Sequence, residues 1–131
     1  MVVDSSAVSA VLFGEADGPL YIDALSAGER KFMSAFSLLE SAVVVEARKG
    51  DAGSQAFSAL MANAEIEVLP FDAGQAEIAM AAWRRFGRGR HKAALDIGDC
   101  ISYALAITLN QRLLFKGDDF THTDVAAYLP G

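Results

Sequence analysis

Apolar positions along this chain switch repeatedly between short continuous runs and helical spacing. Met1 to Asp4 is an apolar run ended by an acid, and it predicts a first strand. Between Ser5 and Phe13 the apolar side chains fall at Ala7, Val8, Val11 and Leu12, which is one helix face, and Gly14 stops that helix. Asp17 to Ser26 repeats the spacing through Leu20, Ile22 and Leu25, with Gly28 closing it. Lys31 to Met33 predicts a short second strand. Ser34 to Lys49 reads as a long helix terminated by Gly50, and Gly53 to Asn63 as another. Ile66 to Leu69 predicts a third strand, ended by Pro70. Ala73 to Phe86 is helical, and a basic loop from Gly87 to Ala94 follows it. Gly98 to Asn110 is a strongly apolar helix. Leu113 to Phe115 predicts a fourth strand, Lys116-Gly117-Asp118-Asp119 a turn, and Val125 to Leu129 a short last strand.

Strands separated by helices imply βαβ crossovers, hence a parallel sheet covered on both faces. The expected fold is α/β: a three-layer α/β/α sandwich around a short-stranded, mainly parallel central sheet. The 131 residues fit a single domain spanning 1–131, without repeat, low-complexity tract or linker.

Composition narrows the class. The chain is 53% hydrophobic and 21% charged, which is globular rather than disordered. A domain of this length buries roughly two-thirds of its unfolded surface, so it needs no disulfide or structural metal. The single Cys100 excludes an internal disulfide and a paired-cysteine metal or redox motif. The start Met1-Val2-Val3-Asp4 has no basic segment, and apolar runs such as Ala42 to Val45 are too short to span a bilayer. The expectation is a soluble cytoplasmic protein with no membrane partner.

A net charge of -6 argues against a generic nucleic-acid coating protein. The cations, however, are gathered. Five of the eleven are Arg84, Arg85, Arg88, Arg90 and Lys92, with His91 among them. Charge runs are usually solvated faces. This one directly precedes the helix carrying Asp99, and a phosphate-binding role is the reading adopted for it.

The acids carry the chemistry. In an open parallel sheet, ligands bind at the carboxyl ends of the strands. Asp4 ends the first strand, and Asp118 and Asp119 follow the fourth. Asp99 sits in the first turn of its helix and Glu40 early in another, and such helices start at that same edge. Each acid alone has an ordinary explanation. Asp4 is a good N-cap, Ser37-Leu38-Leu39-Glu40 matches a capping box, and Asp99 suits a helix dipole. Asp118 and Asp119 suit a solvated turn. Together they predict a carboxylate cluster, which a divalent cation such as Mg2+ or Mn2+ would neutralise. A cation held by carboxylates suits phosphodiester hydrolysis.

These segments carry a resemblance to a known family. Asp4-Ser5-Ser6-Ala7 after an apolar strand resembles the opening motif of the PIN-domain family. Ser37-Leu38-Leu39-Glu40 is similar to the segment carrying its second acid. The stretch from Ile97 to Ala106 is similar to the VapC-toxin pattern around the third acid, and Leu113 to Phe120 to the final strand and acidic turn. The resemblance spans essentially the whole chain. It implies a metal-dependent endoribonuclease, the toxin of a toxin–antitoxin pair, acting on RNA as a homodimer and inhibited by a small VapB-like antitoxin. It implies Asp4, Glu40 and Asp99 as catalytic metal ligands, with Ser6 supporting. The family's last motif places an Asp where this chain has Gly117, so the fourth ligand is Asp118 or Asp119.

Two other classes stand beside this reading. A receiver-like phosphoacceptor domain would use Asp72 and Lys116, but it lacks the paired acids after the first strand. A non-catalytic RNA- or antitoxin-binding module would not need the acids at all. Asp96 is expected to cap its helix, Cys100 and Trp83 to pack, and His91 to be solvated or to contact phosphate. His122 is expected at the surface. Ala10 to Leu25 with Leu38 to Val45 is more apolar than one core needs, which suggests a dimer face or an antitoxin groove.

Overall fold

A computed structural model describes residues 1–130. In chain order the elements are β1 (Val2–Val3), α1 (Ser5–Leu12), α2 (Gly18–Leu25), β2 (Lys31–Ser34), α3 (Ala35–Asn63), β3 (Ile66–Leu69), α4 (Ala73–Phe86), α5 (Ile97–Leu109), β4 (Leu113–Leu114), a 3-10 turn (Asp119–His122) and β5 (Ala127–Tyr128).

Neighbouring side chains on a strand point to opposite faces, and this decides the layers. Val2, Phe32 and Leu113 enter one core with α4 and α5, joined by Phe86, Leu95 and Leu105. Val3, Met33 and Leu114 enter a second core with α1, α2 and α3, joined by Val8, Leu25 and Val45. The sheet lies between the two cores, as the expected three-layer sandwich requires. All pairings are parallel, in the order β3-β2-β1-β4-β5. The chain starts at the centre, builds outward through β2 and β3, then returns to the other side of β1. The strand order therefore reverses at β1, and the crevice for a ligand opens beyond its carboxyl end. Asp4 is the first residue past that point.

Several boundaries differ from expectation. The first strand ends at Val3: Asp4 still donates its N–H to Leu114 O, but its side chain turns to cap α1. Leu113 to Phe115 shortens to a two-residue β4, and Phe115 instead stacks on Phe120 of the 3-10 turn, with ring centroids 5.0 Å apart. That turn was not anticipated. Within Ala35–Asn63 two helices meet at Gly50, whose φ of 60° belongs to the left-handed region, so the expected helix stop at Gly50 holds. The capping box at Ser37 is not formed. Ser34 caps the helix by accepting from Phe36 N, and Ser37 lies buried inside it.

The receiver-like alternative fails on placement. Asp72 caps α4 by accepting from Gln75 N, beyond the edge strand β3. The Lys116 ammonium is held by Glu15 and Asp17. Among the described residues, no helix is long and apolar enough to cross a membrane.

Candidate metal centre

Asp4 is 3% exposed and forms the floor of the site. Its Oδ2 accepts from Ser6 N at 3.1 Å and from Ser6 Oγ at 2.6 Å, and its Oδ1 accepts from Ser102 Oγ at 2.6 Å. Burial pushes this carboxyl above the usual range. The hydrogen bonds from Ser102 and Ser6 pull the other way, and the Asp96 charge adds to the rise. Ser6 also accepts from Lys116 N at 2.9 Å, so it ties Asp4 to the turn after β4.

Glu40 comes from the second turn of α3. Its Oε1 accepts from Ser5 Oγ at 2.8 Å. Its carboxyl rests on the backbone of the first turn of α5, where a β-carbon on Gly98 would lie 2.7 Å from Oε2. Burial raises its pKa first, and the charges of Asp4 and Asp96 raise it further.

Asp96 and Asp99 cap α5 reciprocally. Asp96 Oδ1 accepts from Asp99 N at 2.8 Å, and Asp99 Oδ2 accepts from Asp96 N at 3.0 Å. Burial, then the charges of Asp4, Asp96 and Asp119, push the Asp99 carboxyl up to about 8. From the turn after β4, the carboxylate that acts on Asp99 is thus that of Asp119. Asp118 and Asp119 are both exposed, and the Asp118 carbonyl closes the 3-10 turn by accepting from Thr121.

Four separate segments therefore bring Asp4, Glu40, Asp99 and Asp119 to act on one another at the carboxyl edge. Asp96 joins them. The sequence favoured the cap over a place in the site, yet Asp96 serves as cap and as charge together. Ser5 and Ser102 were missed as well. Ser102 lies three residues after Asp99, on the same helix face, and that spacing was the available signal.

A divalent cation fits this donor set. The interacting groups are carboxylates, which suit hard cations. Among the described residues, none of these five acids has an ion-pair partner, since the nearby cations are engaged elsewhere, Lys116 by Asp17 at 2.9 Å and Arg85 by Asp124 at 3.3 Å. Cys100 packs behind Asp99, and burial with that charge pushes its thiol up to about 11, so it stays a protonated core residue. Among the described residues, no three acids close on a common point as a finished cage would. Asp4 and Glu40 are held by serine hydroxyls, and Asp96 and Asp99 by their reciprocal cap, so a cation bound here would reach part of this set through its waters.

The burial of Asp99, with the repulsion added to it, has a measurable consequence. Asp99 holds its proton in the folded state up to about 8, against an ordinary value of 3.8. Between those values the unfolded chain has released a proton that the folded chain keeps, so stability falls as pH rises through this window. At a partly open rim, solvent screening leaves on the order of 1–2 kcal/mol of this effect. In chelator, the melting temperature at pH 8 is expected several degrees below that at pH 5.5. Added Mn2+ should restore more at pH 8 than at pH 6. A melting temperature that is flat or rises across this range in chelator would sink the idea.

The basic segment divides. Arg85 pairs with Asp124 and covers Phe86, and Arg90 stacks over Trp83 with 4.3 Å to the centroid. Arg84, Arg88 and Lys92 are exposed. His91 is tied into the loop through one ring nitrogen. Its Nδ1 accepts from Ala93 N at 3.0 Å, and its ring meets the Phe86 ring edge-on at 5.3 Å. It shapes the loop. Beside α5, an apolar pocket of about 520 Å³ opens between Met80, Trp83, Ile97 and Ile101.

Comparison with known proteins agrees with this geometry. The PIN domain family matches residues 1–126. Ribonuclease VapC30 of Mycobacterium tuberculosis is 44% identical over 126 residues, covering 96% of each chain. Ribonuclease VapC of Mycolicibacterium smegmatis is 45% identical over 127 residues, covering 97% of this chain and 98% of that one. Among solved structures, VapC20 of Mycobacterium tuberculosis, described as a Sarcin-Ricin loop cleaving toxin, superposes with a TM-score of 0.78 at 20% identity, covering 98% of both chains. VapBC2 of Rickettsia felis, bound to promoter DNA, superposes with a TM-score of 0.73 at 13% identity over 96% of this chain and 94% of that one. With one domain model over almost its whole length and ribonuclease relatives at 44% and 45% identity, this chain belongs to the PIN-domain family, in its VapC ribonuclease branch.

Proposed function

We propose that this protein is a toxin endoribonuclease of a toxin–antitoxin pair, hydrolysing RNA phosphodiesters with Mg2+ or Mn2+ held by Asp4, Glu40, Asp99 and Asp119. The observation that carries the reading is the cluster of acids at the sheet's switch point with no ionic partner among the described residues. The ribonuclease names of its relatives support the substrate class.

In this reading the cation supplies charge stabilisation for a phosphodiester under attack and lowers the pKa of a water. Asp4 and Glu40 are fixed in place by Ser102, Ser6 and Ser5 before any ligand arrives. Asp99 stands at the N-terminus of α5, whose dipole favours the charged, metal-binding form. Asp119 takes the fourth position in preference to Asp118, because its charge reaches Asp99. The exposed Arg84, Arg88 and Lys92 hold the RNA backbone as salt-sensitive phosphate contacts.

A VapB-like antitoxin is the proposed protein partner. Leu20, Ile22, Leu39, Val43 and Val44 are exposed on the α2 and α3 side, with Leu39 at 62%, and this apolar surface suits a bound helix or strap. The toxin–antitoxin complexes among the structural neighbours support it. The apolar pocket with the 70%-exposed Ile97 is the proposed homodimer face. A cytoplasmic location agrees with the one free, buried cysteine.

The test is incubation of antitoxin-free protein with total RNA in Mg2+, in Mn2+ and in chelator. Cleavage is expected in at least one metal and not in chelator. Cleavage that survives the chelator ends the metal mechanism, and intact RNA under every condition ends the nuclease reading.

A further inference from the structure

Hydroxyl groups satisfy the buried Asp4 carboxylate almost completely. An ionised carboxylate offers about four lone-pair sites, two on each oxygen. Ser6 N and Ser6 Oγ occupy both sites on Oδ2, at 3.1 and 2.6 Å. Ser102 Oγ, at 2.6 Å, occupies one site on Oδ1. A single lone pair, on Oδ1, is left for a ligand.

Ser102 has a hydroxyl behind it. Ser37 Oγ lies 3.4 Å from Ser102 Oγ. A serine has one hydroxyl hydrogen, and that of Ser102 is on Asp4, so Ser37 donates to Ser102. Both serines are 1% exposed, so water does not compete with this chain of contacts. The chain runs from α3 through α5 to the residue after β1. It is anchored on the same two helices that carry Glu40 and Asp99.

We infer that Ser37 and Ser102 are positioning residues. They form a hydroxyl relay that fixes the Asp4 carboxylate so that one chosen lone pair of Oδ1 faces the cation. Ser102 lies one turn after Asp99 on α5. The relay therefore sets the spacing of Asp4 and Asp99 through a rigid element, and Ser37 extends that constraint to the helix bearing Glu40. Hydrogen-bond partners behind a metal ligand commonly alter affinity by 10–100-fold when removed. The inference rests on the cation reading above and goes beyond it, since it concerns how the ligand is aimed.

The experiment measures Mn2+ affinity by titration calorimetry and by electron paramagnetic resonance of free Mn2+, with no RNA present. The proteins are wild type, Ser102→Ala, Ser102→Thr, Ser37→Ala and Asp4→Asn. Melting curves in chelator are recorded beside them. Ser102→Ala is expected to weaken Mn2+ binding roughly tenfold, Ser37→Ala roughly threefold, and Ser102→Thr to keep near-normal binding because it retains the hydroxyl. On RNA, kcat should fall at saturating substrate with KM little changed. Wild-type Mn2+ affinity in a folded Ser102→Ala overturns the relay. If Ser102→Ala does not fold, Ser37→Ala decides, and unchanged Mn2+ affinity there overturns the relay equally. Asp4→Asn separates the two levels. Binding that Asp4→Asn leaves intact, or that wild type never shows, overturns the cation reading itself. Binding lost in Asp4→Asn but untouched in both serine variants overturns only the relay.

Discussion

Asp4→Asn is expected to lower RNA cleavage on the order of 10³-fold while the protein stays folded. The size follows from the several kcal/mol of charge stabilisation that a bound cation supplies, at about 1.4 kcal/mol for each tenfold. The amide has the shape of the carboxylate, and its oxygen can still accept the Ser102 hydroxyl hydrogen that Asp4 accepts at 2.6 Å. Its NH2 group, however, would face the Ser6 N–H and hydroxyl, which are donors in the wild type. That mismatch costs about 1–2 kcal/mol. Against it, the substitution removes a buried charge whose desolvation and repulsion already push its pKa up. The two effects oppose, so the melting temperature in chelator should move by only a few degrees. The measurement is cleavage of total RNA under saturating Mn2+, beside a melting curve. Retained cleavage in the variant would show that Asp4 is a helix cap and nothing more.

How much of this was legible in the sequence depended on where each feature is decided. β3 and α4 were read with their observed limits. Pro70 and the Asp72 cap separate them, and those signals act within a few residues. β1 and β4 were read too long, because Val2, Val3, Leu113 and Leu114 are buried in an unbroken apolar run and give no alternation to mark an end. Their limits come from pairing partners far along the chain. Glu40 was placed by its position early in a helix that starts at the strand ends. Its ordinary explanation, a capping box from Ser37, does not form, because the cap is Ser34 and Ser37 turns inward to α5. The convergence of acids was legible because topology alone sends strand ends and helix starts to one edge. Ser102 was missed: its three-residue spacing from Asp99 puts it on the same helix face, but a serine inside an apolar helix reads equally well as packing. Asp96 was set aside because cap and site were treated as rivals, whereas a reciprocal cap uses the backbone and leaves both charges at the rim.

Gly98→Ala should separate stability from activity in the opposite direction from most glycine substitutions. Gly98 lies in the first turn of α5 and its φ is not in the left-handed region, so alanine fits the backbone and adds up to about 1 kcal/mol of helix propensity. Its β-carbon would approach Glu40 Oε2 to 2.7 Å and Oε1 to 3.1 Å. What must move is the end of a long side chain rather than backbone, so the fold gives way cheaply. The carboxyl is displaced from the cluster and from Ser5, which it accepts from at 2.8 Å. A shift of about 1 Å in a positioned group costs roughly 10²-fold in rate. The expected result is an unchanged or raised melting temperature with cleavage reduced about that much. The mechanism is specific enough for a double-mutant cycle. If the alanine acts by moving Glu40, it should cost almost nothing further in a Glu40→Gln background. An equal loss in both backgrounds would mean that Gly98 matters for the entry of RNA to the N-terminus of α5, and that Glu40 is not held where the chemistry needs it.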